Sequence, residues 1–407
     1  MVTKLATGLS KGKNGTVAAK EAVQQAKEKL GADRVDLSMV YSSSEYDHRD
    51  VVEVVREATN NAPLIGASTA GEFTEERVER GSVAVGLLSS DDIKIFTALA
   101  EGVKEDPEAA IKEVLAKLHD NIEGYPYLTA ILLIDGLAGI GEEVTLLVSY
   151  LFDKELRIVG GMAGDDFKME KTVVFSDDKV CTNALSVCLL ASKMPLFTGI
   201  KHGHIPLSRA LKVTRAEGNV LYEINNRPAW AIWKEETVEA ARKRGIDIEK
   251  LKTPAEIAQF FTNYILGLAI EKELGEYKIR WPSGINEDGS LNFTCGIAEG
   301  AVFRIMDGSN LENQINAAEE AAKIARQSAK NAGYSEFAGI LVFDCAVREL
   351  MLGDRFSEAV DCFKKVLPGV PMLGWETYGE IRLEPGQFSG FHNTTSVVLL
   401  LPKGDKE

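Results

Sequence analysis

The chain of 407 residues carries 46 lysines and arginines against 61 aspartates and glutamates, a net charge of −15. That balance excludes a nucleic-acid partner, because no basic stretch is dense enough to displace phosphate counterions. Apolar residues at 45% and charged residues at 26% are globular values, and the length suffices for two or three domains.

The first ten residues lack the apolar core of a signal peptide, and the longest apolar runs, 130–134 and 397–401, have strand length. No membrane insertion is expected. Five cysteines, 181, 188, 295, 345 and 362, are odd in number and show no Cys-x-x-Cys spacing. They predict a reducing compartment, with the cytoplasm as default, and no structural zinc.

In chain order, helical periodicity over 16–30 is followed by an apolar β-type run at 35–41 and a second helix over 50–58. Pro63-Leu64-Ile65-Gly66-Ala67-Ser68-Thr69-Ala70-Gly71-Glu72-Phe73 comes next, then another apolar run at 83–88. The same order recurs: helix 108–118, strand 128–134, helix 142–152, the loop Gly160-Gly161-Met162-Ala163-Gly164-Asp165 and strand 184–191. Gly136-Leu137-Ala138-Gly139-Ile140-Gly141 has G-x-x-G-x-G spacing, which is not a dinucleotide fingerprint and reads as a helix entry.

Between 206 and 307 the pattern breaks into a β-rich insert. It opens with strands around Gly218-Asn219, and Thr253-Pro254 with Glu256 starts a helix expected to reach about Glu273. Further strands are expected over 277–282, 291–295 and 301–306. The helix–strand–helix–strand order then returns over 311–329, 339–343, 355–366 and the loop Pro371-Met372-Leu373-Gly374-Trp375-Glu376-Thr377-Tyr378-Gly379-Glu380-Ile381, ending in an apolar run at 396–401. The predicted class is therefore α/β, with mixed sheets built from repeated helix–strand–helix–strand–Gly loop–strand units.

The first and last loops share Gly-x-x-Thr-x-Gly-Glu, whereas the middle one is a residue shorter and ends in Asp165. A glycine turn at strand carboxyl ends offers backbone N–H groups, and an adjacent carboxylate suits an ammonium or hydroxyl group. Only the last copy has further polar residues expected to converge on it: Cys345 and Arg348 after one strand, His392 and Asn393 before another. Candidate ligand-binding residues are therefore Gly374, Thr377, Tyr378, Gly379, Glu380, Cys345, Arg348, His392 and Asn393, with Arg280 as a second cation for a carboxylate. Gly66-Ala67-Ser68-Thr69-Ala70 departs from a nucleophile elbow, and His202-Gly203-His204 reads as a surface turn.

These loops, with Asp344-Cys345-Ala346-Val347-Arg348 and Phe391-His392-Asn393-Thr394-Thr395, resemble the FIST family (F-box and intracellular signal transduction proteins). An N-terminal region would cover 1–205 and a C-terminal region 206–407. The resemblance implies a non-catalytic sensory protein that binds a small ligand, such as an amino acid or related metabolite. It would signal to a separate protein such as a kinase. Some relatives bind haem and sense nitric oxide, so a haem sensor with His392 or another histidine as axial ligand is an alternative. An enzyme using Cys345, Glu380 and His392 is a further one. Ala67 stands where relatives often carry Cys, which weakens a thiol role in the first loop.

Overall fold

A computed structural model describes residues 3–32, 34–119, 122–269, 277–387 and 389–404. The described residues form three units of one topology and a β-rich insert. In the first unit, strand Lys4–Ser10 leads to helix Gly15–Leu30, strand Leu37–Ser43, helix His48–Ala58 and strand Leu64–Thr69. The glycine loop, the short strands Glu72–Thr74 and Val78–Glu79, and strand Val83–Ser89 complete it. Two pieces go beyond the repeat read in the sequence: the strand before the leading helix and the hairpin after the loop.

Within each unit the central two strands are parallel, as a right-handed strand–helix–strand crossover requires. The last strand pairs antiparallel with both the first strand and the strand before the second helix. The expected mixed sheets are present.

The loop hairpins are exchanged in a cycle. The hairpin after the second unit's loop, Val174–Ser176 and Lys179–Cys181, pairs with the first unit's Leu64–Thr69. The third unit's hairpin, Glu380–Leu383 and Phe391–His392, pairs with the second unit's Arg157–Met162. Glu72–Thr74 of the first unit pairs with Met372–Thr377 of the third, closing the ring. Each six-stranded sheet thus takes four strands from its own unit and two from another.

Period-two alternation splits each sheet between two cores. Leu37, Met39 and Tyr41, with Ile131, Leu133, Leu341 and Phe343, face one shared centre, where Tyr41 stacks on Trp375 at 4.7 Å. Val40, Leu132 and Val342 instead face their own unit's helices. Both faces being covered, the strands read as continuous apolar runs. The leading helices sit close because their buried face is largely alanine: a Cβ on Gly8 would lie 2.0 Å from the Ala22 carbonyl oxygen, and one on Gly199 1.9 Å from that of Ala321.

The third unit begins before the insert. Its first strand, Phe197–Lys201, pairs with Ser396–Pro402, and the insert enters between that strand and helix Leu311–Asn331. The insert has its own core around Trp233, Phe260, Phe261 and Phe303. Its helix carries the expected capping box at Thr253 and Glu256 but ends at Asn263. Tyr264–Ala269 is a strand paired with Val302–Asp307. Tyr264 and Leu266 enter one core and Ile265 another, a period-two burial that a helix cannot supply. The expected end of that helix, Glu273, lies outside the described residues.

Candidate functional site

The three glycine-plus-acid loops meet at the centre of the ring. The Gly164 amide donates to the Ser68 carbonyl at 2.9 Å, and that of Asp166 to Thr69 at 3.0 Å. Ala70 donates to Glu376 at 3.2 Å and Glu376 back to Gly71 at 2.9 Å. Tyr378 donates to Met162 at 3.0 Å and Met162 to Gly379 at 2.9 Å. Gly71, Gly164 and Gly379 have no positive φ. They are needed for approach: a Cβ on Gly164 would sit 2.9 Å from the Ala70 nitrogen, and one on Gly71 2.6 Å from Glu376 Oε1.

The acid of each loop turns inward. Thr377 Oγ1 donates to Glu380 Oε1 at 2.9 Å, and the Thr395 amide to Oε2 at 2.9 Å. In the first loop Thr69 donates to Glu72 Oε1 and Ser82 Oγ to Oε2, the latter at 2.5 Å. Thr-x-Gly-Glu is thus a clamp tying each loop to the start of its unit's last strand. Asp165 works differently, accepting from the amides of Met169, Glu170 and Lys171 and from the Tyr378 hydroxyl at 2.6 Å. Burial pushes Glu72 up to about 8 and Glu380 well above the usual carboxylate range.

Cys345 and Arg348 lie at the carboxyl end of Phe337–Cys345, behind Glu380. Burial first, and Glu380 second, push the Cys345 thiol well up, so it lacks the thiolate that a nucleophile needs. The fully buried Arg348 gives Nε to Asp344 at 2.7 Å and Nη1 to the Gln314 carbonyl at 2.9 Å. Gln314 Nε2 lies 3.0 Å from His204 Nδ1, and His204 Nε2 lies 2.8 Å from Thr394 Oγ1, which donates to the Asn393 carbonyl. Because an amide nitrogen can only donate, His204 is neutral with its proton on Nε2. The chain from Asp344 to Asn393 therefore runs through two residues, Gln314 and His204, that the sequence reading did not select. His204 is 5% exposed and not a surface turn. Gly203 holds it there: a Cβ on Gly203 would meet the Asn313 carbonyl oxygen at 2.5 Å, so the segment lies flat on helix Leu311–Asn331.

Arg280 stays apart from Arg348. Its Nη2 pairs with Glu142 of the second unit at 2.7 Å and its Nη1 donates to the Phe391 carbonyl at 2.9 Å. Asn393 Oδ1 accepts from the Trp281 amide at 3.2 Å, so the insert is tied to the third unit's hairpin. Gly374 faces Phe73.

Beside these residues opens a cleft of about 590 Å³ between strand Phe197–Lys201, helix Leu311–Asn331 and the third hairpin. His202, His204, His392, Arg382, Thr395 and Asn313 contribute to its wall. Burial lowers His202 to about 4 and holds His204 and His392 well below the usual imidazole range, so the wall presents neutral rings. Both ring nitrogens of His202 are engaged: Nε2 contacts the Tyr277 carbonyl at 3.1 Å and Nδ1 accepts from the His204 amide at 3.2 Å. His392 Nε2 lies 3.3 Å from the Arg382 carbonyl. A haem iron on either nitrogen of His202 or His204, or on His392 Nε2, would have to break one of these contacts.

The FIST N domain matches residues 36–227 and the FIST C domain residues 246–382. An uncharacterised protein of Methanocaldococcus jannaschii is 24% identical over 358 residues, covering 82% of this chain and 66% of its own length. The aligned region therefore spans just under two thirds of that relative. No helix among the described residues is long and apolar enough to cross a membrane. The two matched domains cover most of the chain, which belongs to the FIST family, whose domains are proposed sensory or signalling modules.

Proposed function

We propose that this protein is a non-catalytic sensor that binds a small polar metabolite, such as an amino acid, in the third-unit cleft and signals to a separate protein such as a kinase. The observation that carries this reading is the cleft itself. Its wall joins Lys201 and Arg382 to Glu320, Asn313 and Asn316, opposite charges and amides that suit a zwitterion. Directly behind it runs the chain Arg348–Gln314–His204–Thr394, so a ligand that moves the wall would act on a connected network. Cys345, Glu380 and Gly374 then serve as its support and not as contacts.

A thermal-shift screen of amino acids and small organic acids tests the reading, since a ligand that binds only the folded state stabilises it by mass action. A stabilising ligand is expected, and Asn316→Trp, placed on the exposed cleft rim, should abolish its effect while leaving the unliganded melting temperature intact. Stabilisation that persists in that variant would put the ligand elsewhere.

A further inference from the structure

The third-unit cleft has an exposed rim and a buried inner end. Lys201, Asn316 and Glu320 stand at the rim, whereas His204, His392 and Thr395 are buried. These three buried side chains have spent their polar hydrogens. His204 Nε2 donates to Thr394 Oγ1 at 2.8 Å, and the Thr395 hydroxyl to the Asn393 carbonyl at 2.7 Å. His392 Nε2 lies 3.3 Å from the Arg382 carbonyl, which can only accept, so Nε2 carries the proton of the neutral ring.

Nδ1 of His392 is then left with a lone pair. It makes no hydrogen bond among the described residues, and it is not one of the enclosed polar atoms. The side chain is only 8% exposed and lines the cleft, so the lone pair opens into the cleft. An acceptor placed there calls for a donor from whatever fills the cleft, because an unmade bond costs the desolvation of the nitrogen.

The charges around His392 select the kind of donor. Burial first, then Lys278 and Arg280, hold its imidazole well below the ordinary range, and Arg382 acts in the same direction. Arg280 is offset by Glu142 and Arg382 by Glu384, whereas the Lys278 ammonium donates to the Ser389 carbonyl and pairs with no acid among the described residues. A ligand ammonium at the inner end would meet the same repulsion that disfavours the imidazolium. A carboxylate would turn its own lone pairs onto that of Nδ1. An uncharged hydroxyl meets neither obstacle.

We infer that His392 determines the specificity of this cleft: Nδ1 accepts from a hydroxyl of the ligand, whose ammonium and carboxylate stay at the rim with Glu320 and Lys201. This rests on the proposed ligand cleft and narrows its ligand class to zwitterions with a hydroxylated side chain.

Calorimetric titration of the full chain at neutral pH with serine against alanine, threonine against valine and tyrosine against phenylalanine tests it. At least one hydroxylated member should bind roughly tenfold or more tightly than its partner. In His392→Phe, which keeps a ring and loses the acceptor, that preference should vanish. His392→Asn, whose amide oxygen hangs from the same carbon as Nδ1, should retain part of it. Nitrogen NMR of the histidine-labelled full chain reads the ring without any ligand: the signal lost in His392→Asn should report a bare Nδ1 and a protonated Nε2. Equal binding within every pair overturns the hydroxyl selection and leaves the cleft standing as the ligand site. A protonated Nδ1, or a preference that survives His392→Phe, overturns the role of His392. Binding by no member of the panel overturns both.

Discussion

Arg80 and Glu349, 269 residues apart, form a forked ion pair with Nε to Oε1 at 2.6 Å, locking the first unit's hairpin onto helix Ala346–Leu352 of the third. Glu349 is 8% exposed, and both carboxylate oxygens of the neighbouring Glu376 are enclosed without a hydrogen-bond partner. Burial first, then Glu349, push the Glu376 carboxyl well up, and Arg80 counters them. Arg80→Met is therefore expected to cost about 1–3 kcal/mol in urea unfolding, the lower part of the range for a broken pair because the arginine is half exposed. Glu376→Gln in the same background should recover part of the loss.

Glu72 gives the stability a pH slope of known sign. Burial pushes its carboxyl to about 8 despite the bonds from Ser82 and Thr69, against an ordinary value of 4.5. Between those values the unfolded chain has released a proton that the folded one keeps. Stability falls as pH rises, by up to about 1.4 kcal/mol per unit for this group. Glu72→Gln, whose amide can donate to the Ser82 hydroxyl, should flatten the slope in that window. The slope will not vanish, since Glu376 and Glu380 contribute with the same sign. Denaturant midpoints at several pH values across the window decide it; an unchanged slope would show that Glu72 is ionised in the folded protein.

Gly374 is a packing glycine. An added Cβ would come within 2.0 Å of the Phe73 ring, which is itself fully buried on the strand that crosses from the first unit. Gly374→Ala should destabilise by about 1–3 kcal/mol. Gly284→Ala, where the nearest atom is 3.9 Å away, should stay within about 0.5 kcal/mol. Thermal unfolding of the two variants side by side checks the contrast.

Cysteine labelling ranks the thiols. Cys345 is buried and its thiol is pushed well above the ordinary range, whereas Cys181 and Cys362 are only half-buried. Native protein at neutral pH should alkylate at Cys181 and Cys362 first and at Cys345 only on unfolding, as peptide mass spectrometry would show. Rapid modification of Cys345 would reopen the nucleophile reading.

The loops themselves were legible because their chemistry is short-range. In Thr377-Tyr378-Gly379-Glu380 the hydroxyl and the carboxylate that it meets are three residues apart, and the identical spacing at Thr69 and Glu72 advertises a repeated clamp. That the Thr395 amide closes the other side of Glu380 is not legible there, since it lies 15 residues further on. His204 was misread for a related reason: two histidines around a glycine look like a turn. The glycine is there to press the segment against Asn313, and the partners of His204 are Gln314 and Thr394, 110 and 190 residues away.

By itself, the sequence determined the three units, their parallel strand pairs, the insert and the family, because hydrophobic periodicity and turn chemistry act over a few residues. Only the tertiary structure decided that the hairpin after each loop belongs to another unit's sheet. Backbone pairing such as Val174 with Ala67 carries no side-chain signature in the chain. That exchange also brought Arg80 of one unit against Glu349 of another, a pair 269 residues apart that no local pattern announces.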